Sequence, residues 1–341
     1  PWSGSGSGRG GPRRGPGPGG ALVSGARALW LAGPGQAELR EEPEPVGEAV
    51  VAALFGGISR GTEALVARGG VPEGVRERMR APFQAGAFPF PVKYGYAVVG
   101  RVVAGPEGLR GRTVFVLHPH QDRFAVPAAA CVPLPGATPA GRAVLAANLE
   151  TALNVVWDAG VGPCDRVVVI GAGVVGALAG WLCARMPGVE ATLVDVNPAR
   201  AGLAARLGCG FAPAEAAPAE CDVVIHASGT EAGLAVALAA AGEEATVVEA
   251  SWHGDRSPAV PLGAAFHARR LRLVSSQVGR VPPGRAPRWT TRRRLEAALA
   301  LAADPALDAL ISGETAFTDL PAAYAGILDD PATLCHRVRY L

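Results

Sequence analysis

The chain has 341 residues, of which 49% are hydrophobic and 18% are charged, so it is long enough for two domains with filled cores. Its formal charge is +2, and three arginines stand in the first twenty residues, so the remainder lacks the basic excess of a nucleic-acid-binding protein. No apolar run approaches the roughly 20 residues of a membrane span, which argues against a membrane protein.

The opening segment PWSGSGSGRGGPRRGPGPGG contains no apolar stretch of the kind found in a signal peptide. We therefore expect a disordered tail over residues 1–20. The six cysteines form no C-x-x-C pair, so neither a zinc cluster nor a disulfide framework is indicated. A reducing, cytoplasmic setting is expected.

Short strands separated by glycine and proline follow the tail, and they include the single lysine of the chain, Lys93. An ammonium group can exchange a proton at neutral pH, whereas a guanidinium cannot. Lys93 is therefore a candidate for proton chemistry, with an incidental surface charge as the alternative. If residues 93–98 are extended, Tyr94 and Tyr96 share one face and Lys93 points to the other.

Two of the six histidines, His118 and His120, flank Pro119 at the end of a strand pattern. The proline keeps His118 extended, so the two imidazoles tend to project to one side. This spacing predicts a pair that handles a proton or binds substrate, with two solvated loop histidines as the alternative. A metal pair is disfavoured because no third ligand is evident.

A β-α-β dinucleotide-binding pattern begins with the β-branched strand over residues 166–170, which a glycine turn and an apolar helix follow. In this G-x-G-x-x-G pattern, Gly171 permits the tight turn and Gly173 lets the backbone approach a pyrophosphate. Gly176 lets the helix pack close to the strand. The flanking strand and helix make the pattern specific.

Asp195 ends the second strand of this unit, 24 residues after the first glycine. A carboxylate there accepts hydrogen bonds from the adenosine ribose and repels a 2′-phosphate. NAD is therefore expected rather than NADP, although the charge of Arg200 partly offsets that repulsion.

Three more strand patterns follow, over residues 221–229, 245–251 and 271–279, with a helix pattern over 231–241. Strands that alternate with helices predict a parallel, doubly wound sheet whose ligand lies beyond the carboxyl ends of the strands. Candidates for the nicotinamide side of that ligand are Ala227, Ser228, Ser251 and Gln277.

Four segments together resemble the medium-chain dehydrogenases/reductases, the superfamily of zinc alcohol dehydrogenases and quinone reductases. They are GGISRGTEAL (residues 56–65), GYAVVGRV (95–102), ETALNVV (150–156) and the dinucleotide-binding pattern. The ISRGTE wording is similar to that of bacteriochlorophyllide dehydrogenases, a metal-poor branch.

The resemblance implies an α/β fold in two domains. A GroES-like, β-rich catalytic domain is expected over residues 21–158 and is completed by residues 280–341. A Rossmann domain with a doubly wound parallel sheet is expected over residues 159–279 and would bind NAD.

The sequence departs from the zinc-dependent members at the ligand positions. They carry a cysteine, a histidine and a cysteine or glutamate, where this chain has Ser59, Tyr96 and Ala147. These three side chains cannot form a tetrahedral zinc site. The four-cysteine structural lobe of those members is missing as well, so we expect no zinc.

The resemblance also places cofactor contacts and catalytic candidates. Arg60 falls where members contact the pyrophosphate, and Thr151 where they contact the nicotinamide. Gly61 stands at the usual proton-relay hydroxyl, so Thr62 or Glu63 is expected to substitute. The predicted cofactor-binding residues are Arg60, Thr151, Gly171, Gly173, Val175, Gly176, Asp195, Ser228, Ser251 and Gln277. The predicted catalytic residues are Tyr96, His118, His120, Lys93 and Glu63.

Three functions are open at this point. The first is an NAD(H)-dependent, zinc-independent oxidoreductase that interconverts a secondary alcohol and a ketone on a polar small molecule. The second is a metal-free reductase of the enone or quinone type. The third is a nucleotide-binding protein without catalysis, favoured if Tyr96 and His118 prove buried in apolar packing. A homodimer formed through the Rossmann domain is expected, with no nucleic-acid or membrane partner.

Overall fold

The computed structural model describes residues 25–340, and the predicted tail over residues 1–20 lies outside this range. The strands are β1 (Arg27–Gly33), β2 (Gln36–Glu41), β3 (Ala49–Ser59), β4 (Ala85–Gly86), β5 (Val92–Lys93), β6 (Val98–Ala104), β7 (Thr113–Val116), β8 (Arg123–Val126), β9 (Val132–Pro133), β10 (Arg166–Ile170), β11 (Glu190–Val194), β12 (Gly210–Ala212), β13 (Cys221–His226), β14 (Ala241–Glu249), β15 (Arg272–Ser275), β16 (Ile311–Ala316) and β17 (Cys335–Arg339). The helices are α1 (Arg60–Ala67), α2 (Ala140–Ala143), α3 (Ala146–Ala159), α4 (Val174–Cys183), α5 (Arg200–Leu207), α6 (Glu231–Ala240), α7 (Thr291–Leu301) and α8 (Leu320–Asp329).

The middle of the chain forms the predicted parallel sheet, with six strands in the order β12-β11-β10-β13-β14-β15. Strand β10 covers the residues that its β-branched run predicted. Because all six strands run the same way, the ends of β10, β11, β13 and β14 meet at one edge. At that edge His226 pairs with Ile170 on one side and with Glu249 on the other.

The rest of the chain is β-rich and contains two sheets. One has four strands in the order β2-β1-β5-β4, and the other has seven, in the order β16-β17-β3-β6-β7-β9 with β8 paired to β3. The C-terminal strand β17 lies antiparallel to β3, with Cys335 opposite Ser59. The end of the chain therefore completes the sheet that carries the ISRGTE segment.

Helix α3 joins the two parts, since it packs against α4 and α7 and contacts β13, β14 and β15. Its buried residues belong to the largest apolar core, together with residues of α4 and β10. The same core includes Val99 of β6 and Phe115 of β7, so it extends from the parallel sheet into the β-rich part.

The arginines of helix α7 differ in exposure. Arg292 faces water in an exposed pair with Glu296 (2.7 Å). Arg294 instead is 1% exposed and pairs with Glu150 at 3.0 Å. The packing of α7 on α3 turns this position inward, where the carboxylate of Glu150 compensates its charge.

Within residues 25–340, no helix has both the length and the apolar character needed to cross a lipid bilayer.

Candidate functional site

A cleft of about 960 Å³ separates the carboxyl edge of the parallel sheet from helix α1 of the β-rich part. Seven of the predicted cofactor-binding residues line it, namely Arg60, Gly171, Gly173, Val175, Asp195, Ser228 and Ser251. From the β-rich side, Ser59 and Thr62 also reach its surface. The cleft lies where parallel sheets of this topology bind their ligands.

The glycine turn between β10 and α4 leaves the backbone open to the cleft. Gly171 has a φ of +104°, and a Cβ there would lie 2.6 Å from the amide nitrogen of Ser228. A Cβ on Gly176 would lie 2.0 Å from the carbonyl oxygen of Gly171, so this glycine allows the helix to pack against the turn. Gly173, at the start of α4, has no atom within 4 Å of its Cβ position. The turn and the helix N-terminus therefore fit a pyrophosphate group.

Asp195 is held at the adjoining strand end by two backbone amides. Its Oδ2 accepts a hydrogen bond from Ala172 (2.7 Å) and its Oδ1 accepts one from Asn197 (2.8 Å). Each carboxylate oxygen can accept a second bond, which suits the two hydroxyls of a ribose. Arg200 lines the same region and donates to the carbonyl of Pro331 (2.8 Å).

Three predicted cofactor residues do not line the cleft. The hydroxyl of Thr151 donates to the carbonyl of Ala147 within α3 (3.0 Å). Gln277 is exposed and folds back to accept a bond from the amide of Gly279 (2.8 Å). Gly176 acts through the packing of α4 and is covered by it.

The β-rich wall of the cleft presents hydroxyl groups. Ser59 ends β3, and its Oγ accepts a hydrogen bond from the side-chain amide of Asn148 (2.9 Å). Tyr96 lies behind it and is half-buried. Burial raises the pKa of the Tyr96 phenol well above its ordinary value and the charge of Glu63 raises it further, while hydrogen bonds with Ser59 and Thr62 oppose the shift. The phenol therefore stays protonated and can act as a hydrogen-bond donor.

Glu63 is the centre of a fully buried network behind this wall. The carboxylate accepts hydrogen bonds from the amide of Ser59 (2.8 Å) and the hydroxyl of Tyr324 (2.8 Å). The Nε2 of His120 lies 2.9 Å from its second oxygen. Glu63 and His120 are both 0% exposed. The structure thus brings two predicted catalytic residues together but shields both from the cleft. Tyr324, which was not among the predicted residues, joins them from helix α8.

His118 has a different environment from His120. Its ring stacks on Phe124 at 3.7 Å between centroids, with Phe83 on the other side at 5.5 Å. Its Nδ1 donates to the carbonyl of Pro119 (3.0 Å). Burial lowers the pKa of His118 to about 3, so the ring is neutral near pH 7. The predicted pair of imidazoles is not brought together on one ligand.

Lys93 also lies outside the cleft lining. Its ammonium donates to the side-chain oxygen of Gln121 (2.9 Å) and lies 3.1 Å from a carboxylate oxygen of Glu42. The ring of Trp30 is 5.9 Å away. The side chain is buried and ion-paired, which neither of the two predicted roles anticipated.

A second polar cluster, which the sequence analysis missed apart from Ser228, lies on the opposite wall. His226, Glu249 and His253 have ligand-type atoms that all lie within 4.8 Å of one another. The available signal was that His226 and Glu249 end neighbouring strands and so had to meet at the sheet edge. At the three zinc-ligand positions of the resembled superfamily, Ser59, Tyr96 and Ala147 offer no imidazole, thiolate or carboxylate.

The sequence matches no protein-family model and no curated protein. Solved structures, however, share its fold. L-idonate 5-dehydrogenase from Escherichia coli K-12 aligns over 92% of this chain and 98% of its own, with a TM-score of 0.75 and 17% identity. A short chain alcohol dehydrogenase from E. coli CFT073, complexed with NADH, aligns over 92% and 99%, with a TM-score of 0.72 and 17% identity.

The YhdH oxidoreductase of Salmonella enterica, in complex with NADP, aligns over 92% of this chain and 100% of its own, with a TM-score of 0.67 and 21% identity. At these identities the likeness shows the fold. That fold combines a GroES-like part with a Rossmann part, as the resemblance implied.

Proposed function

We propose that this protein is an NAD(H)-dependent oxidoreductase that interconverts a secondary alcohol and a ketone on a small polar molecule without a catalytic zinc ion. The observation that carries the proposal is the cleft itself. On one wall it has an open glycine turn beside a fixed carboxylate, and on the other it has hydroxyl groups backed by a protonated phenol. Proteins of this fold complexed with NADH and with NADP support a nicotinamide cofactor.

The strand order supports one orientation of the dinucleotide. Asp195 follows β11, the glycine turn follows β10, and Ser228 and Ser251 follow β13 and β14, so these groups lie in that order along the edge. With the ribose of adenosine at Asp195 and the pyrophosphate at the glycine turn, the nicotinamide reaches Ser228 and Ser251. Bound there, the nicotinamide supplies the hydride acceptor or donor.

The preference for NAD rests on Asp195. Two backbone amides hold this carboxylate in position, so a 2′-phosphate placed beside it would be repelled. Arg200 lines the same part of the cleft, where its guanidinium donates to the carbonyl of Pro331.

The proposed substrate donor is Tyr96, with Ser59 and Thr62 as the hydroxyls that contact it and line the cleft. When hydride moves, charge develops on the substrate oxygen, and a donor held there stabilises the transition state. Glu63 and His120 are proposed as positioning residues, because Glu63 accepts the amide of Ser59 and so fixes the end of β3. His118 and Lys93 have no place in this scheme.

Zinc independence rests on the donor set. The oxygen of Ser59 is occupied by the amide of Asn148, Tyr96 keeps its proton, and Ala147 has no ligand atom. Elemental analysis of the purified protein is expected to find no stoichiometric zinc. One tightly held zinc per chain, with activity lost on chelation, would refute this part.

The test of the function has two steps. Calorimetric titration should show tighter binding of NAD⁺ than NADP⁺, and Asp195→Ala should reduce that difference by about tenfold or more. A panel of secondary alcohols and ketones is then screened with NAD⁺ and NADH at the wavelength of NADH absorption. Equal or tighter NADP⁺ binding would overturn the cofactor assignment, and no turnover across the panel would overturn the reaction.

One observation favours the non-catalytic alternative. His118 is buried between two phenylalanine rings, which is the packing expected of a structural histidine. We rank this alternative below the proposed reaction because the cleft still presents Ser59, Thr62 and Ser228 to a bound ligand. Tight NAD⁺ binding without turnover of any panel member would favour it.

A further inference from the structure

The cleft wall formed by the parallel sheet carries a hydrogen-bonded chain that we call the cleft network, defined as Ser228, His226, Glu249 and His253. The Oγ of Ser228 lies 2.7 Å from His226 Nε2, and His226 Nδ1 lies 2.6 Å from Glu249 Oε2. His253 Nε2 reaches the same carboxylate oxygen at 3.2 Å. His226 is 0% exposed, while Ser228 is half-buried and lines the cleft.

The direction of these hydrogen bonds follows from the acceptor at one end. Burial alone would raise the pKa of the Glu249 carboxyl, but the hydrogen bond and charge of His226 and the amide of Ser251 outweigh it, so the pKa is lowered. An ionised carboxylate only accepts, so His226 must donate from Nδ1. In the neutral form of the ring Nε2 is then the acceptor, and the hydroxyl of Ser228 donates to it.

The first turn of helix α6 makes room for the contact between Ser228 and His226. A Cβ on Gly233 would lie 2.1 Å from the Oγ of Ser228 and 3.0 Å from His226 Nε2, so the first turn of α6 needs a glycine there. The hydroxyl of Thr230, which caps α6, lies 2.9 Å from the Oγ of Ser228. Either hydroxyl can donate in that contact, and the backbone amide of Thr230 also donates to the Oγ of Ser228 (3.3 Å), which leaves the Ser228 proton free to point at His226.

The distances between side-chain atoms of the cleft network can be compared with those of a metal site formed by His226, Glu249 and His253. Two ligands of a tetrahedral zinc ion, each at about 2.0–2.1 Å from the metal, are separated by about 3.3 Å. His226 Nδ1 and Glu249 Oε2 are 2.6 Å apart, which is the distance of a charge-assisted hydrogen bond. That distance fits a proton shared by the two atoms, and a zinc ion bound to both would require them to move apart.

We propose that Ser228, His226 and Glu249 form a proton relay at the nicotinamide end of the cleft. The inference rests on the proposed function, because that function puts the reacting end of the cofactor beside β13 and β14. During alcohol oxidation the substrate carbon would lose its hydride to the bound nicotinamide, and the hydroxyl proton of the substrate passes to Ser228 Oγ. The original proton of Ser228 passes at the same time to His226 Nε2.

Glu249 stabilises the imidazolium of His226 that forms. Ser228 remains a hydroxyl, because it has taken the proton of the substrate in place of its own. After the ketone leaves, the proton returns to water through Ser228, and reduction of a ketone runs through the same steps in reverse. Ser228 is thus the group that touches the substrate, and His226 and Glu249 act through it. This relay lies on the wall opposite Tyr96, which is proposed to bind the substrate oxygen without losing its own proton.

The first test needs no substrate. Protein with isotope-labelled histidine is studied by nitrogen-detected NMR, alone and with NADH. We expect His226 to carry its proton on Nδ1, to have an unprotonated Nε2, and to show a change at Nε2 in Ser228→Ala. A proton on Nε2 would overturn the relay, and so would a shift of the His226 and His253 resonances on addition of one equivalent of Zn²⁺, which would indicate a metal site.

The second test uses a substrate found in the screen described above. Ser228→Ala is expected to lower kcat about 10²-fold, with NAD⁺ affinity nearly unchanged, and Ser228→Thr to restore most of the loss. The double variant with His226→Gln should lose no more than about the larger single loss, because the two residues act as a unit.

Ser276→Ala is the matched control, because Ser276 follows the neighbouring strand β15 and its hydroxyl donates to Asp158 (2.6 Å) outside the cleft lining. Its kcat should stay within about twofold of the original. A loss in Ser228→Ala no larger than in this control would overturn the relay and leave the proposed function standing. If the unchanged protein turns over no substrate, the proposed function fails, and the NMR result decides the relay geometry on its own.

Discussion

Two networks of carboxylate, imidazole and hydroxyl groups lie on opposite sides of the cleft, and they differ in exposure. In the β-rich part, Glu63 joins His120 and Tyr324, and the carboxylate and imidazole are fully buried. In the parallel-sheet part, Glu249 joins His226, but the next group, Ser228, stands on the cleft surface.

Residue type alone therefore does not distinguish a network that stabilises the fold from one that takes part in a reaction. Both contain groups that can move a proton, yet only the second offers a hydroxyl that a ligand can touch. A buried network of satisfied groups contributes to stability and fixes its neighbours. The first network is therefore expected to respond to mutation mainly in stability, and the second mainly in turnover.

The largest effect is expected from Glu63→Ala. The change leaves the amide of Ser59, the imidazole of His120 and the hydroxyl of Tyr324 without their acceptor in a buried site. We expect the free energy of unfolding to fall by about 4 kcal/mol, measured by urea denaturation. Glu314→Ala, which removes an exposed partner of Arg337, should cost less than about 1 kcal/mol. Similar losses in the two variants would show that the buried network does not stabilise the fold.

The next-largest effect is expected on stability at low pH. It comes from His118, a buried residue of the β-rich part. Its pKa is about 3 in the folded chain and about 6.5 in a free side chain, so below pH 6.5 the unfolded state binds a proton that the folded state does not. Protonation of the unfolded state does not reduce the free energy of unfolding above pH 6.5. Below that pH it reduces the free energy of unfolding by about 1.4 kcal/mol per pH unit, or by roughly 3 kcal/mol in total at pH 4.5. Urea midpoints at both pH values should show a shallower pH dependence for His118→Phe. Equal slopes for the two proteins would contradict the structural role.

Tyr96→Phe tests the place where the β-rich side meets the ligand. Removal of one transition-state donor is expected to lower kcat by about 10²-fold, while NAD⁺ affinity stays nearly unchanged. Neither tyrosine lines the cleft itself, but Tyr96 is hydrogen-bonded to Ser59 and Thr62, which do. Tyr94→Phe is the matched control, since Tyr94 is buried against Tyr96. Comparable turnover in the two variants would remove Tyr96 from the proposed site.

The smallest effect is expected from Lys93→Arg. The ammonium fits between Gln121 and Glu42 in a buried position, and a guanidinium is larger, so the free energy of unfolding should fall by about 1 to 2 kcal/mol. Turnover on an identified substrate should not change, because Lys93 lies outside the cleft lining. Lost turnover with unchanged stability would support the role in proton chemistry that was first proposed because Lys93 is the single lysine of the chain.

The parallel sheet and its glycine turn could be predicted from the sequence because their signals are local. The strand over residues 166–170, the turn at Gly171 and the acid at Asp195 lie within one β-α-β unit, and each carries its own steric or electrostatic reason. The fold class followed from the same alternation. The bounds of the strands could be predicted less exactly, since β14 begins at Ala241 and not at the predicted residue 245.

The site could be predicted only in part, because its contacts join distant segments. Glu63 was a candidate, but Tyr324, which binds it, stands 261 residues further along the chain. The partner of Lys93 likewise comes from a separate strand ending, at Glu42. His226 was within reach of sequence reasoning, since parallel strands had to bring it beside Glu249, but both were read only as parts of strands.

The pairing of β17 with β3 also bears on how the molecule is made. The nascent chain exposes the edge of β3 until Cys335 and its neighbours emerge from the ribosome, on the order of half a minute later at ordinary rates of translation. The parallel sheet, continuous from β10 to β15, is complete before then. An unpaired strand edge is a template for aggregation, so β3 is exposed to wrong pairing until β17 covers it.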